Sequence, residues 1–209
     1  MTRASSFAGV ILAAGESSRM GREKALLPWP PASDAATPSS GTFLSAGIRS
    51  LLAVCDFVVV VAGRNEPTLA PIVYAEGASL AVNRDPGRGQ FSSLQIGLRE
   101  VLDRGRDAAM ITLVDRPPVA PATLRTLLEG YMNSDPATWA VVPEFSGRHG
   151  HPYLIGREMI STFLEAPATS TARDVEQLHA AHLRYLAVED PLVALNINTP
   201  EEYNNLTTK

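Results

Sequence analysis

A single cysteine, Cys55, stands among 209 residues, so neither a disulfide framework nor a cysteine-based zinc site can be built. It lies between Val54 and Asp56, where a helix hands over to a strand, and reads as a small buried hydrophobe. No apolar run is long enough to span a bilayer, which leaves no membrane segment to expect. Positive charge is also short. Eighteen Lys and Arg against 22 Asp and Glu give a net charge of −4, which argues against a general nucleic-acid surface and confines any phosphate binding to a local basic pocket. Both familiar phosphate-loop signatures are missing. Gly15 and Gly21 are separated by five residues and Lys24 follows three later, which is not Walker A spacing, and no G-x-G-x-x-G occurs. Internal repeats are absent as well. What remains is an ordinary globular composition, 45% apolar and 19% charged, sufficient for a single domain over residues 1–209 with a full core.

Strand-like and helix-like segments alternate along the chain. Asp56–Gly63 (DFVVVVAG) and Ala108–Asp115 (AAMITLVD) are continuous apolar runs, as expected of strands buried on both faces. Val10–Ala14, Ser79–Asn83, Trp139–Phe145 and Leu192–Asn198 are further strand candidates. Helical spacing puts Leu44, Ile48, Leu51 and Leu52 on one face; so with Phe91, Leu94, Leu98 and Val101, and with Leu124, Leu127, Leu128 and Tyr131. A last helix is announced by Thr199 as N-cap, Pro200 in the first turn and Glu202 three residues after the cap. The alternation predicts an α/β fold with a mostly parallel sheet. Such sheets bind ligands beyond the C-terminal ends of their strands, which gathers Gly15, Asn83, Asp115 and Asn198 on one rim. Pro28–Thr42, rich in Pro, Ser and Ala, breaks the rhythm and reads as a mobile surface loop. The N-terminal MTRASSFAGVILAAG holds one basic residue and a short apolar run, and reads as the first core strand rather than a signal peptide. The cytoplasm is the expected compartment.

Chemistry concentrates in Val10–Lys24, VILAAGESSRMGREK. An apolar strand opens at Gly15 into a small polar loop carrying Arg19 and Lys24, an arrangement suited to cradling phosphates with backbone N–H groups and fixed cations. In LVDRPPV, Asp115 closes an apolar strand, where a carboxylate needs a partner: a hard cation such as Mg²⁺, a helix N-terminus, or a neighbour such as Arg116. Asn83 ends another strand before a Gly-rich turn, with Ser92 and Ser93 at a helix start; Arg84 and Arg88 read as solvated, with a phosphate within reach of either as the alternative. His149 and His151 lie in a glycine turn without a third nearby nitrogen or sulfur ligand, and His179 and His182 fall on a predicted amphipathic helix.

Five of these elements, in the family's order along the chain, resemble the molybdenum-cofactor nucleotidyltransferase family. LAAG-x-S-x-R-M-G-x-x-K is similar to the opening signature of the cytidylyltransferase-like enzymes. Asp115-Arg116-Pro117 resembles the D-Q-P element with arginine in place of glutamine. Asn83 followed by Ser92-Ser93-Leu94, the triplet Gly150-His151-Pro152, and the closing Asn196-Ile197-Asn198-Thr199-Pro200 also match. The last is often D-I-D-T-P, so Asn198 stands where an acid is usual. Isoprenoid-type cytidylyltransferases would show P-K-Q after the loop, and sugar-phosphate enzymes G-T-R-L-x-P; this chain has neither.

The resemblance implies a three-layer α/β/α, Rossmann-like nucleotidyltransferase domain with a mixed, mainly parallel sheet. It implies transfer of CMP from CTP to the phosphate of a molybdopterin-type acceptor, with pyrophosphate released. The implied phosphate cradle is Leu12, Ala13, Ala14, Gly15 and Ser17; Arg19 and Lys24 neutralise the β- and γ-phosphates. Asp115 and Asn198 would hold Mg²⁺, Asn83, Ser92 and Ser93 would contact base or ribose, and His151 would face the acceptor. LAAG rather than LAGG favours CTP. A molybdenum enzyme or its chaperone is the further partner implied, with no nucleic acid and no membrane. The alternatives are another phosphorylated acceptor, or a carrier that binds the cofactor without catalysis.

Overall fold

The structure, a computed structural model, describes residues 6–15, 20–31, 41–167 and 169–206. The apolar runs form strands and the 3.6-period segments form helices. In chain order the strands are β1 (Ala8–Leu12), β2 (Pro28–Trp29), β3 (Gly41–Thr42), β4 (Phe57–Ala62), β5 (Ser79–Val82), β6 (Ala108–Leu113), β7 (Ala140–Phe145), β8 (Arg148–His149), β9 (Tyr153–Gly156) and β10 (Leu183–Ala187). The helices are α1 (Phe43–Leu52), α2 (Glu66–Ala75), α3 (Gln90–Asp103), α4 (Pro121–Met132), α5 (Arg157–Glu165), α6 (Ala172–Leu178) and α7 (Pro200–Asn204). The sheet runs β10-β7-β9-β6-β1-β4-β5, with β8 hairpinned onto β7. Its pairs are parallel except where β9 lies antiparallel to β6 and β7, and β8 to β7.

This order positions the site. From β1 the chain moves outward through β4 to the edge strand β5, and α3 then carries it back past β1 to β6. The strand order reverses between β1 and β6, and at such a reversal a crevice opens beyond the strand ends.

Alternate strand residues face two cores. Ile11, Val58, Val60 and Met110 pack with α1, α2 and α4 through Leu44, Ile48, Leu69, Val73, Leu124 and Leu127. On the other face Val10, Leu12, Val59, Val61 and Ile111 meet Phe91, Leu94, Leu98, Met159 and Phe163 of α3 and α5. Each such fully buried side chain contributes about 1.5–3 kcal/mol relative to exposure. Cys55 is buried, and burial, aided by Asp56, pushes its thiol up to about 12. A third cluster of Met20, Leu27, Phe43, Ile197 and Tyr203 pins the return of the first loop against the C-terminal segment, and the Tyr203 hydroxyl donates to the Pro28 carbonyl at 2.8 Å.

Three sequence expectations change. Leu192–Asn198 is not a strand: Pro191–Ala194 form a 3-10 turn capped by Asp190, and the remainder runs unpaired across the strand ends. Its apolar side chains are buried as a strap, held by His151 N–H to the Val193 carbonyl and by Ile197 N–H to the Asp115 carbonyl. The predicted helix carrying His179 and His182 stops at Leu178; the His182 ring instead stacks on Trp139 at 3.8 Å, and the chain continues into β10. The structure also adds the strands β9 and β10, which the pattern did not single out, and β10 is an exposed edge. Of the Pro28–Thr42 loop, β2 and β3 pair as an antiparallel ribbon, and 32–40 lie outside the described residues. No helix among the described residues is long and apolar enough to cross a membrane.

Candidate active site

Three polar side chains from distant parts of the sequence meet just beyond β6. Lys24 Nζ lies 3.2 Å from Asp115 Oδ2 and 3.1 Å from Asn198 Oδ1. Lys24 is only 8% exposed. It sits in the 3-10 turn Lys24–Leu26, so it is a buried, anchored ammonium rather than a cation in an open loop. Gly21, at φ +69°, provides the left-handed step leading into this turn. Ser17 and Arg19 lie outside the described residues.

Asp115 is neither a helix cap nor the ion-pair partner of Arg116. Its ion-pair partner is Lys24; Arg116 feels the Asp115 charge but donates its hydrogen bond to the Leu195 carbonyl at 3.0 Å. The second carboxylate oxygen, Oδ1, is buried and has no hydrogen-bond partner among the described residues. A buried acceptor left this way is costly, and a cation is the natural complement for it. The donor set fits a hard divalent ion: a carboxylate and an amide oxygen, already arranged around one positive charge. Among the described residues no three His, Cys, Asp or Glu side chains form a metal cage, so ligand oxygens would have to complete the shell.

Asn198 is brought here by the strap, not by a strand end. Thr199 and Glu202 form a capping box at the start of α7, and the Glu202 carboxylate also accepts from Asn198 N–H, fixing the segment as it arrives. The strap rests on Gly150. A Cβ there would fall 2.0 Å from the Val193 carbonyl oxygen, so only glycine permits the contact.

Asn83, Ser92 and Ser93 come together as read from the sequence, but they face one another. The Asn83 amide donates to both serine hydroxyls at 2.9 Å, and its oxygen accepts from Asp85 N–H. All three are buried. Ser93 nevertheless borders a small cleft of about 80 Å³, together with Leu12, Ala14, Gly15 and Gln90. His151 is half-buried, and desolvation, reinforced by the Arg116 charge, lowers it to about 4, so it is neutral at pH 7. His149 stays at the surface, stacked on Tyr185 and paired with Glu144.

Sequence reading missed Asn65 and Glu176. The Asn65 amide donates to the Ala13 carbonyl at 2.8 Å and to the Glu23 carboxylate at 3.1 Å, tying the entry of the first loop to its exit. Just before α2 it resembles any helix cap, so nothing local signals this role. Glu176, on α6, borders a larger cavity next to the small cleft.

With this geometry in view, comparison with known proteins is informative. Residues 9–184 match the MobA-like NTP transferase domain. A probable molybdenum cofactor guanylyltransferase of Rhodopirellula baltica is 28% identical over 201 residues, covering 93% of this chain and 88% of that protein. The molybdenum cofactor cytidylyltransferase of Escherichia coli is 26% identical over 196 residues, covering 93% and 92%. Among solved structures, that of Rv0371c from Mycobacterium tuberculosis superposes with a TM-score of 0.78 at 27% identity, over 99% of both chains. The chain belongs to the MobA-like NTP transferase domain family and is a nucleotidyltransferase.

Proposed function

We propose that this protein transfers CMP from CTP to the terminal phosphate of a molybdopterin-type acceptor in the cytoplasm, releasing pyrophosphate, with Mg²⁺ as the divalent ion. The observation that carries the reading is the meeting of Lys24, Asp115 and Asn198 around one point of positive charge at the sheet's reversal. Phosphoryl chemistry of this kind needs positioning and charge cancellation more than covalent help. The acceptor phosphate is already anionic and needs no general base.

On this reading the Leu12–Gly15 backbone and Ser17 cradle the triphosphate. Arg19 and Lys24 take up the negative charge of the departing pyrophosphate. Asp115 and Asn198 would hold the Mg²⁺, which when bound neutralises the reacting phosphate. Lys24 is released from its ion pair as phosphates enter. Asn83 braces Ser92 and Ser93, which border base and ribose, and His151 stands on the acceptor side. Names among the relatives support the molybdenum-cofactor setting, and they include both guanylyl and cytidylyl transfer. Cytosine is favoured here by the narrow cleft beside Ala14 and Gly15, which suits a pyrimidine better than a purine.

Isothermal titration of the four nucleoside triphosphates with Mg²⁺ tests the base. CTP is expected to bind most tightly, with ATP and GTP roughly tenfold or more weaker because the wider ring meets the cleft wall. A preference for GTP would overturn cytidylyl transfer and leave nucleotidyl transfer standing; binding of no nucleotide would favour a cofactor carrier.

A further inference from the structure

We propose that Glu176 reads the acceptor's heterocycle in a second cavity, accepting hydrogen bonds from the 2-amino-4-oxopyrimidine edge of a pterin. This rests on the acceptor reading given above. The cavity, about 440 Å³, adjoins the small cleft and shares Leu12, Gly89 and Gln90 with it, so occupants of the two would lie side by side. Its size suits a flat bicyclic ring. Leu12, Leu94, Ile111 and Leu113 give it an apolar floor against which such a ring can lie.

Glu176, Tyr153 and His151 are among the polar residues that line the cavity. Among the described residues the Glu176 carboxylate has no hydrogen-bond donor; its electrostatic neighbour is Arg173. Burial raises it to about 7 despite Arg173. A carboxylate in this state lacks donors that a ligand can bring. The N3–H and exocyclic amine of a 2-amino-4-oxopyrimidine are adjacent, parallel donors matched to the two oxygens of a carboxylate, as a guanidinium is. His151 complements them. Its Nδ1 lies 3.4 Å from the Ile111 carbonyl, so in the neutral ring a proton held there leaves Nε2 as an acceptor. Arg88 and Arg173 at the cavity's border suit the acceptor's phosphate tail.

Guanine carries the same edge, so the test must separate acceptor from nucleotide. The probe is 6-hydroxymethylpterin, followed by quenching of its fluorescence on titration with the full-length protein, with CTP and GTP titrated calorimetrically in parallel. The wild type is expected to bind the pterin. Glu176→Gln should weaken pterin binding at least tenfold and leave CTP binding within twofold. Ala172→Phe, which adds bulk to the cavity wall one helical turn from Glu176 and keeps the carboxylate, should also weaken it at least tenfold; thermal melting confirms that both variants fold. Pterin binding unchanged in both variants would overturn the proposal. So would a wild type that binds CTP but no pterin, which leaves nucleotidyl transfer intact. If Glu176→Gln instead weakens GTP and spares the pterin, the carboxylate reads the nucleotide and the acceptor assignment fails. Binding of pterin but of no nucleotide would count against the reading of the active site, not against Glu176.

Discussion

Asp115→Asn is expected to remove metal-dependent turnover, at least a hundredfold, while the protein still folds. The substitution preserves shape and leaves an oxygen to accept from Lys24, now 3.2 Å away. What it removes is the charge on a group whose Oδ1 is buried without a hydrogen-bond partner among the described residues. A divalent ion loses far more than an ammonium does when a carboxylate becomes an amide, and metal-ion stabilisation of phosphoryl transfer is worth several kcal/mol. Were Asp115 only a structural link between β6 and the strap, asparagine would serve nearly as well. Turnover measured across a Mg²⁺ titration, beside a melting curve, decides: activity retained at ordinary Mg²⁺ would remove Asp115 from the centre.

Lys24→Ala should lower both turnover and stability, for separable reasons. Its ammonium offsets charge that grows as pyrophosphate leaves, and loss of one preorganised contact of this kind costs about 2–4 kcal/mol of transition-state stabilisation. That corresponds to a fall of roughly 30- to 900-fold in turnover. Because Lys24 is buried and bonded to Asp115 and Asn198, alanine also strands the Asp115 carboxylate, at a cost of about 1–3 kcal/mol in stability. Melting temperature and turnover of the folded protein report the two effects independently. Activity within threefold of wild type would exclude Lys24 from phosphate neutralisation.

The buried parallel core was legible because its strands are continuous apolar runs: Phe57–Ala62 and Ala108–Leu113 lie within one or two residues of where the pattern put them. The α3 face was equally plain from Phe91, Leu94, Leu98 and Val101. Leu192–Asn198 failed for a physical reason. An apolar run reports burial, and burial under a strap held by scattered carbonyl contacts looks the same as burial in a ladder. β10, largely exposed at the sheet edge, carries too little apolar signal to be distinguished from the end of a helix. At the site, the residues on one rim could be named from strand ends, yet their mutual bonds could not. Nothing in sequence shows that the Asn83 amide is committed to Ser92 and Ser93, or that the Lys24 ammonium lies between Asp115 and Asn198. The Lys24 contacts span 91 and 174 residues of chain, and all of these bonds are set by packing. Asn65 and Glu176 were invisible for the same reason: a helix cap and an exposed-looking helical glutamate gain meaning only from what the fold places opposite them.

On the function proposed, the Lys24–Asp115–Asn198 centre performs nucleotidyl transfer to a phosphorylated pterin. Pyrophosphate release from CTP, followed with and without a molybdopterin-type acceptor in the presence of Mg²⁺, tests it most directly. Release that requires the acceptor and matches the CMP joined to it is the predicted result; tight binding of both CTP and acceptor with no pyrophosphate formed would contradict it.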